Sequence, residues 1–303
     1  MNKKPFLFAV IFVFVVSFGF SQRNLQYSID NEGSLVVGGS SFVHDRYDIK
    51  DHPTLQTLVI EPTVEGRKVV GIAKQAFYND SYLVSVSIPE SVEYIGPGAF
   101  SACRNIKEFY ISPDNPRYEV FQNLIIDKLN HTLVSSFGDP TEITVPEGLT
   151  EIPERFFPYS ENLKKVNIPD SVTRIGERAF YKMYYIESLN IPKNIEYIGD
   201  EAFFECWALT GDLYLPDTLT YLGTASFVET KITSARLPEH FTSIPDSAFL
   251  HCENLKDLTL PKKLKSIGTL SLCGCSLLVD FQIPDTVDFI GKEAFRGLKF
   301  NVL

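Results

Sequence analysis

The chain has 303 residues, 44% of them hydrophobic, with 28 Lys+Arg against 38 Asp+Glu and a formal net charge of −10. That length suits two ordinary domains or one elongated one. The acidity excludes nucleic acid as a partner, because neutralising phosphates takes clustered Lys and Arg; simple solubility accounts for it.

The first element is the segment MNKKPFLFAVIFVFVVSFGFSQ, in which Lys3 and Lys4 precede an apolar run from Phe6 to Val16 and small residues follow at Gly19 and Ser21. That order predicts a secretory signal peptide over residues 1–21, and the run is shorter than the roughly 20 apolar residues that span a bilayer. No membrane span is expected after its removal, which leaves 26 Lys+Arg against 38 Asp+Glu, a net charge of −12. The first of the five cysteines is Cys103, so none sits near the cleavage point to carry a lipid.

The rest of the chain rewrites one phrase. SVTRIGERAF, Ser171 to Phe180, returns 23 residues later as NIEYIGDEAF, Asn194 to Phe203. Written I-G-x-x-A-F, its last position falls at Phe77, Phe100, Phe157, Phe180, Phe203, Phe227, Phe249, Leu272 and Phe295. An aliphatic residue followed by Pro runs in phase with it, from Ile88-Pro89 through Ile168-Pro169 to Ile283-Pro284. A period of this length means a solenoid, whose single units cannot bury their own faces and must stack. Within one unit, Val166 and Ile168 alternate with Lys165 and Asn167, the pattern of a short strand with one buried face. Pro169 ends that strand, and Val172, Ile175 and Phe180 re-enter the core from the far side. Stacking makes the strands a parallel sheet and the box phenylalanines a buried spine. The I-G glycine is replaced by Ala73, Pro153 and Pro245, and proline fixes φ near −65°. The position therefore serves close backbone packing rather than a left-handed turn.

The phrase I-P…I-G-x-x-A-F-x-x-C-x-x-L resembles the BspA-like leucine-rich repeats of bacterial surface proteins, from about Leu55 to the C-terminus. The resemblance implies a curved, right-handed leucine-rich repeat solenoid, with a parallel sheet on the concave face and turns and short helical segments on the convex one. Residues 55–77 look like the family's first repeat, including the Val64-Glu65-Gly66 insertion. Residues 22–54 then read as an N-terminal cap, with LQYSIDNEGSLVV as a small hairpin about residues 31–33. The solenoid runs over 55–303. Residues 113–146 form an irregular insertion coil, in which NLIIDKLNHTLVSSF reads as two strands about a turn at Leu129–His131. Residues 299–303 read as a final strand.

No motif carries catalysis. The five histidines form no metal-ligating pair, and neither a nucleophile elbow nor a phosphate loop is present; no cofactor is implied. Cys103, Cys206, Cys252 and Cys275 all lie three residues past the box, where other units carry Asp80, Ser160, Met183, Thr230 and Leu298. Such interchange indicates a packing position with free thiols rather than a ligand set, and Cys273-Gly274-Cys275 alone is too weak to signal a metal.

Function in a solenoid belongs on its exposed sheet columns. One reads Ser87, Tyr110, Thr144, Asn167, Asn190, Tyr214, Arg236, Thr259 and Gln282; the other reads Ser85, Glu108, Glu142, Lys165, Ser188, Asp212, Ser234, Asp257 and Asp280. Tyr and Arg are enriched at binding hot spots, so Tyr110, Asp212, Tyr214, Arg236 and Asp257 are the candidate partner-binding residues. The expected protein is a non-enzymatic, monomeric binding protein, secreted, periplasmic or on the cell surface. The resemblance implies an adhesin-like role, docking an extended protein or glycan on the concave sheet face. The alternative is a periplasmic scaffold with no host-facing role. A glycan hydrolase using Asp257 and Asp280 is disfavoured, because a sheet column by itself supplies no cleft.

Overall fold

Alternation and repetition in the sequence become coils of strand and turn. The computed structural model describes residues 9–14, 25–30, 33–38, 56–279 and 282–298. The expected cleavage point at Ser21, most of the cap, Asp280 and the strand expected at 299–303 lie outside them. The chain divides into two units, Met1–Asp139 and Pro140–Leu303, so the boundary falls inside the insertion.

In the first unit, Ala9–Phe14, Gln26–Ile29 and Leu35–Val37 form an antiparallel set. Leu35–Val37 then pairs in parallel with Arg67–Ile72, which pairs with Tyr94–Ile95. The Val64-Glu65-Gly66 insertion is a tight hairpin from Thr63–Val64 into Arg67–Ile72, with Glu65 and Gly66 both at positive φ. Thr57–Val59, Ser85–Ile88 and Glu108–Ile111 form the parallel ladder of the sheet face. The insertion is a three-stranded meander, Tyr118–Phe121, Leu124–Asp127 and Thr132–Ser136, one strand more than its sequence pattern predicts. A polar knot fastens it: buried Asn115 donates to the carbonyls of Pro89 and Val92, and the Tyr118 hydroxyl accepts from the Ile95 amide.

The second unit is a parallel β-solenoid with two ladders. The sheet face runs Glu142–Thr144, Lys165–Asn167, Ser188–Leu189, breaks, and resumes as Thr210–Tyr214, Lys231–Arg236, Asp257–Thr259. The opposite ladder runs Glu151–Ile152, Arg174–Ile175, Tyr197–Ile198, Tyr221–Leu222, breaks, and resumes as Ser243–Ile244, Ser266–Ile267, Phe289–Ile290. This second break has a chemical cause. The glycine amide after each short strand donates to the previous coil, as in Gly199 to Ile175 and Gly223 to Ile198, both 2.9 Å. Pro245 stands at that position and has no N–H to give.

The short helical segments expected on the convex side are absent among the described residues, which contain no helix. The reason is conformational. The second x of the box, as in Arg178, Glu201, Ala225 and Ser247, has φ between 53° and 56°, and Lys182, Glu205, Glu229 and His251, four residues on, also lie at positive φ. A left-handed residue every fourth position interrupts a right-handed helix. Backbone amides instead alternate between a turn bond within the coil, as in Ala179 to Gly176, and a bond to the next coil, as in Phe180 to Ala202.

Phe100, Phe180, Phe203, Phe227 and Phe249 are fully buried. In the second unit the rings stack at 4.9–5.8 Å from Phe157 to Phe249. Phe77 and Phe295, in terminal coils, are only partly buried. A Cβ on Gly199 would stand 2.5 Å from the Glu177 backbone nitrogen, and one on Gly223 2.3 Å from that of Asp200, which confirms the close-packing role of the box glycine.

Candidate functional site

The ladder register sets out the exposed columns. In the first unit Tyr110 lies opposite Ser87 and is well exposed. In the second unit Asp212 lies opposite Ser234, Tyr214 opposite Arg236, and Asp257 on the far side of Ser234. Tyr110 thus belongs to a different unit from the other four candidates.

Side chains on this face pair from coil to coil. Lys165 Nζ and Asn167 Nδ2 both donate to Glu142 Oε1, at 2.9 and 2.7 Å, holding its carboxyl below its usual pKa. Arg236 donates to the Tyr214 hydroxyl, lies 4.9 Å from that ring's centroid and makes an ion pair with Asp217 at 3.5 Å. The Asp212 carboxylate accepts hydrogen bonds from Ser234 Oγ at 2.7 Å and Thr233 Oγ1 at 3.1 Å, which lower its pKa. Arg236 and Tyr214 therefore form one preassembled cation–aromatic pair, not two independent anchors.

Sequence reasoning missed what lies beside them. The segment Leu209–Pro216 carries one residue more than its counterpart Ile186–Pro192. The surplus falls at Gly211, whose φ is 98°. Asn190 turns its side-chain amide back to the Ile168 backbone, donating at 2.6 Å and accepting at 2.9 Å. No ladder joins Ser188–Leu189 to Thr210–Tyr214, and a half-open cleft of about 170 Å³ lies along the break. Leu189, Ile191, Leu209, Leu213, Phe227 and Ile232 supply apolar lining, with Asn190, Thr210, Asp212 and Tyr214 as polar members. The 24-residue spacing from Phe203 to Phe227 was the only sequence signal of it.

The cysteine column has a structural role. Cys103, Cys206, Cys252 and Cys275 donate S–H bonds of 2.8–3.2 Å to the carbonyls of Phe77, Phe180, Phe227 and Phe249, each the box residue of the preceding coil. All five cysteines are free and buried. Among the described residues no group of three or more His, Cys, Asp or Glu is arranged to hold a metal, and no helix is long and apolar enough to cross a membrane.

The model of the BspA type leucine-rich repeat region matches residues 58–186, 135–211 and 180–301, in six copies. The chain belongs to the BspA-type leucine-rich repeat family. Solved structures of similar fold include a leucine-rich repeat protein from Eubacterium ventriosum, 19% identical over 90% of this chain and 92% of that one, with a TM-score of 0.60. Another, from Bacteroides ovatus, is 24% identical over 93% and 81%, also with a TM-score of 0.60. No curated protein matches the chain. These likenesses establish the BspA-type fold, in which both units carry the repeat's ladder of strands.

Proposed function

We propose that this protein is exported and acts by binding rather than catalysis, its sheet face docking an extended protein or glycan at the cell surface. The observation that carries the reading is the preassembled Tyr214–Arg236 pair on a register-fixed face, with carboxylates at Asp212 and Asp257. A long, shallow, regularly spaced surface suits an extended partner better than a small molecule, which needs a deep pocket. Lys3, Lys4 and the apolar run after them support export, and membership of a family of bacterial surface proteins supports a place on the cell exterior.

Tagged protein without residues 1–21 should retain a partner from a surface-protein and glycan extract. The double variant Tyr214→Ala/Arg236→Ala should weaken that binding by about 1–3 kcal/mol, the range of ordinary hot spots, with an unchanged circular dichroism spectrum. Equal binding by the double variant would refute the assignment of this face. Digestion of intact cells by an external protease separates a surface protein, which is cleaved, from a periplasmic scaffold, which is protected.

A further inference from the structure

The break in the sheet ladder is the feature that the proposed docking face does not itself explain. We propose that the cleft between Ser188–Leu189 and Thr210–Tyr214 is a specificity pocket that takes one large apolar side chain of an extended partner segment carrying a Lys or Arg two residues away. The inference rests on the sheet face being the binding face.

Size selects the guest. A cavity of about 150 Å³ lined by apolar side chains holds a benzene ring, so 170 Å³ suits one phenylalanine- or leucine-sized group. Drug-sized ligands need about 300–1,000 Å³, and a whole added strand would need far more room. The lining is mixed: its apolar part comes from Leu189, Ile191, Leu213 and Ile232, and its polar part from Asn190, Thr210, Asp212 and Tyr214.

Charge fixes the flanking residue and its direction. Asp212 lines the cleft, and its bonds run to two neutral hydroxyls, Ser234 and Thr233. Arg236 is turned to Tyr214 and Asp217. A guest cation therefore sits on the Asp212 side. In an extended segment the side chains at i and i+2 point the same way, about 6–7 Å apart, which lets one fill the cleft while the other meets the carboxylate.

The test uses the full chain and the probe acetyl-Gly-Phe-Gly-Lys-Gly-amide, followed by methyl resonances of Leu189, Leu213 and Ile232. All three should shift on titration. Replacing the probe's Phe by Ala should abolish the shifts, and replacing its Lys by Glu should weaken binding about fivefold, the upper range for one exposed ion pair. Asp212→Asn, at an exposed position, should bind the Lys and Glu probes alike, and Leu189→Trp should fill the cleft and block the Phe probe. Unmoved methyls, or a Lys preference that survives Asp212→Asn, would overturn the proposal. If the probe misses the cleft while macromolecular binding still needs Tyr214 and Arg236, the pocket fails and the docking face stands. If the probe binds as described and the double variant is without effect, the pocket stands and the wider face fails.

Discussion

At the residue scale, this solenoid is built from positions that single side chains rarely tolerate. Among the described residues, seventeen non-glycine residues lie at positive φ, most at the two turn positions of a coil. A left-handed L-residue costs roughly 1–2 kcal/mol, and bonds to the next coil offset it: Arg178, Glu201 and Ser247 all donate there at 2.8–2.9 Å. Not every local cost is offset. Ser226 and Ser271 occupy the small position of the box, where other coils have Ala179, Ala202 or Ala248, and their buried hydroxyls have no hydrogen-bond partner. Ser226→Ala and Ser271→Ala should each stabilise the protein by about 1 kcal/mol, since an unsatisfied buried polar group costs about 1–3 kcal/mol; urea denaturation measures it, and a loss of stability would refute it. The cysteines obey a different constraint. Every column thiol points back to the preceding coil's carbonyl, so Cys252 and Cys275 do not face each other. Burial pushes the Cys252 thiol up to about 12 and raises those of Cys206 and Cys275 as well, which keeps them un-ionised and unreactive. Native protein should therefore react slowly with a thiol reagent, and denatured, unreduced protein should show all five thiols; a count of three would reveal a bridge.

At the element scale, an ion pair between Arg117 and Asp127 adds to the polar knot that fastens the insertion meander. Asp127, 3% exposed, receives Arg117 through Nε at 2.9 Å and Nη2 at 2.8 Å, and Asn130 through Nδ2 at 2.7 Å. Burial alone would raise its pKa, but the Arg117 and Asn130 hydrogen bonds and the Arg117 charge outweigh it, and the net shift is downward. With the folded value below the unfolded value of about 3.9, ionised Asp127 contributes stability above about pH 4 that is lost as pH falls through the folded value. Asp127→Asn should be less stable than wild type at pH 7 by about 1.5–3 kcal/mol, typical of charged hydrogen bonds. That gap should narrow below about pH 4. Urea midpoints at pH 7 and pH 3 check it, and a constant gap would rule out the ionised pair as its source. Asn190 shows the opposite use of a polar side chain: by capping the Ile168 backbone it takes up bonding that would otherwise continue the ladder.

At the scale of the whole molecule, the two ladders of the second unit present two different exposed faces. On the ladder opposite the proposed docking face, Arg174 lies 3.6 Å over the Tyr197 ring and contacts Glu151 at 3.2 Å, while Tyr197 stacks on Tyr221 at 4.6 Å. Those groups satisfy one another along the stack, as Tyr214 and Arg236 do on the sheet face. Replacing Arg174 and Glu177 together by Ala should leave partner affinity within about twofold of wild type, because surface ion pairs contribute little. Binding measured beside the Tyr214/Arg236 double variant decides the matter: a larger loss from the Arg174/Glu177 pair would move the docking face to the other ladder. The net charge of −10 adds a long-range term that would speed association with a basic partner and would weaken as salt rises.

The repeat spacing by itself determined the coil, the spine from Phe180 to Phe249, the exposed columns and the pairing of Tyr214 with Arg236, because stacking forces equal positions of successive units into register. The substitution of Pro153 and Pro245 for the box glycine was enough to separate close packing from backbone handedness. Three features were decided only by the tertiary structure. Left-handed turns replaced the expected short helices, because amides such as those of Arg178 and Phe180 find their partners in the next coil, and a local sequence pattern does not contain that coil. The third strand in the insertion is anchored by contacts such as Asn115 with Val92 and Tyr118 with Ile95, more than 20 residues apart. The cleft beside Asp212 lies where the segment Leu209–Pro216 carries one surplus residue and the sheet ladder breaks. One surplus residue is unremarkable in sequence, and only stacking one coil on the next turns it into an open seam.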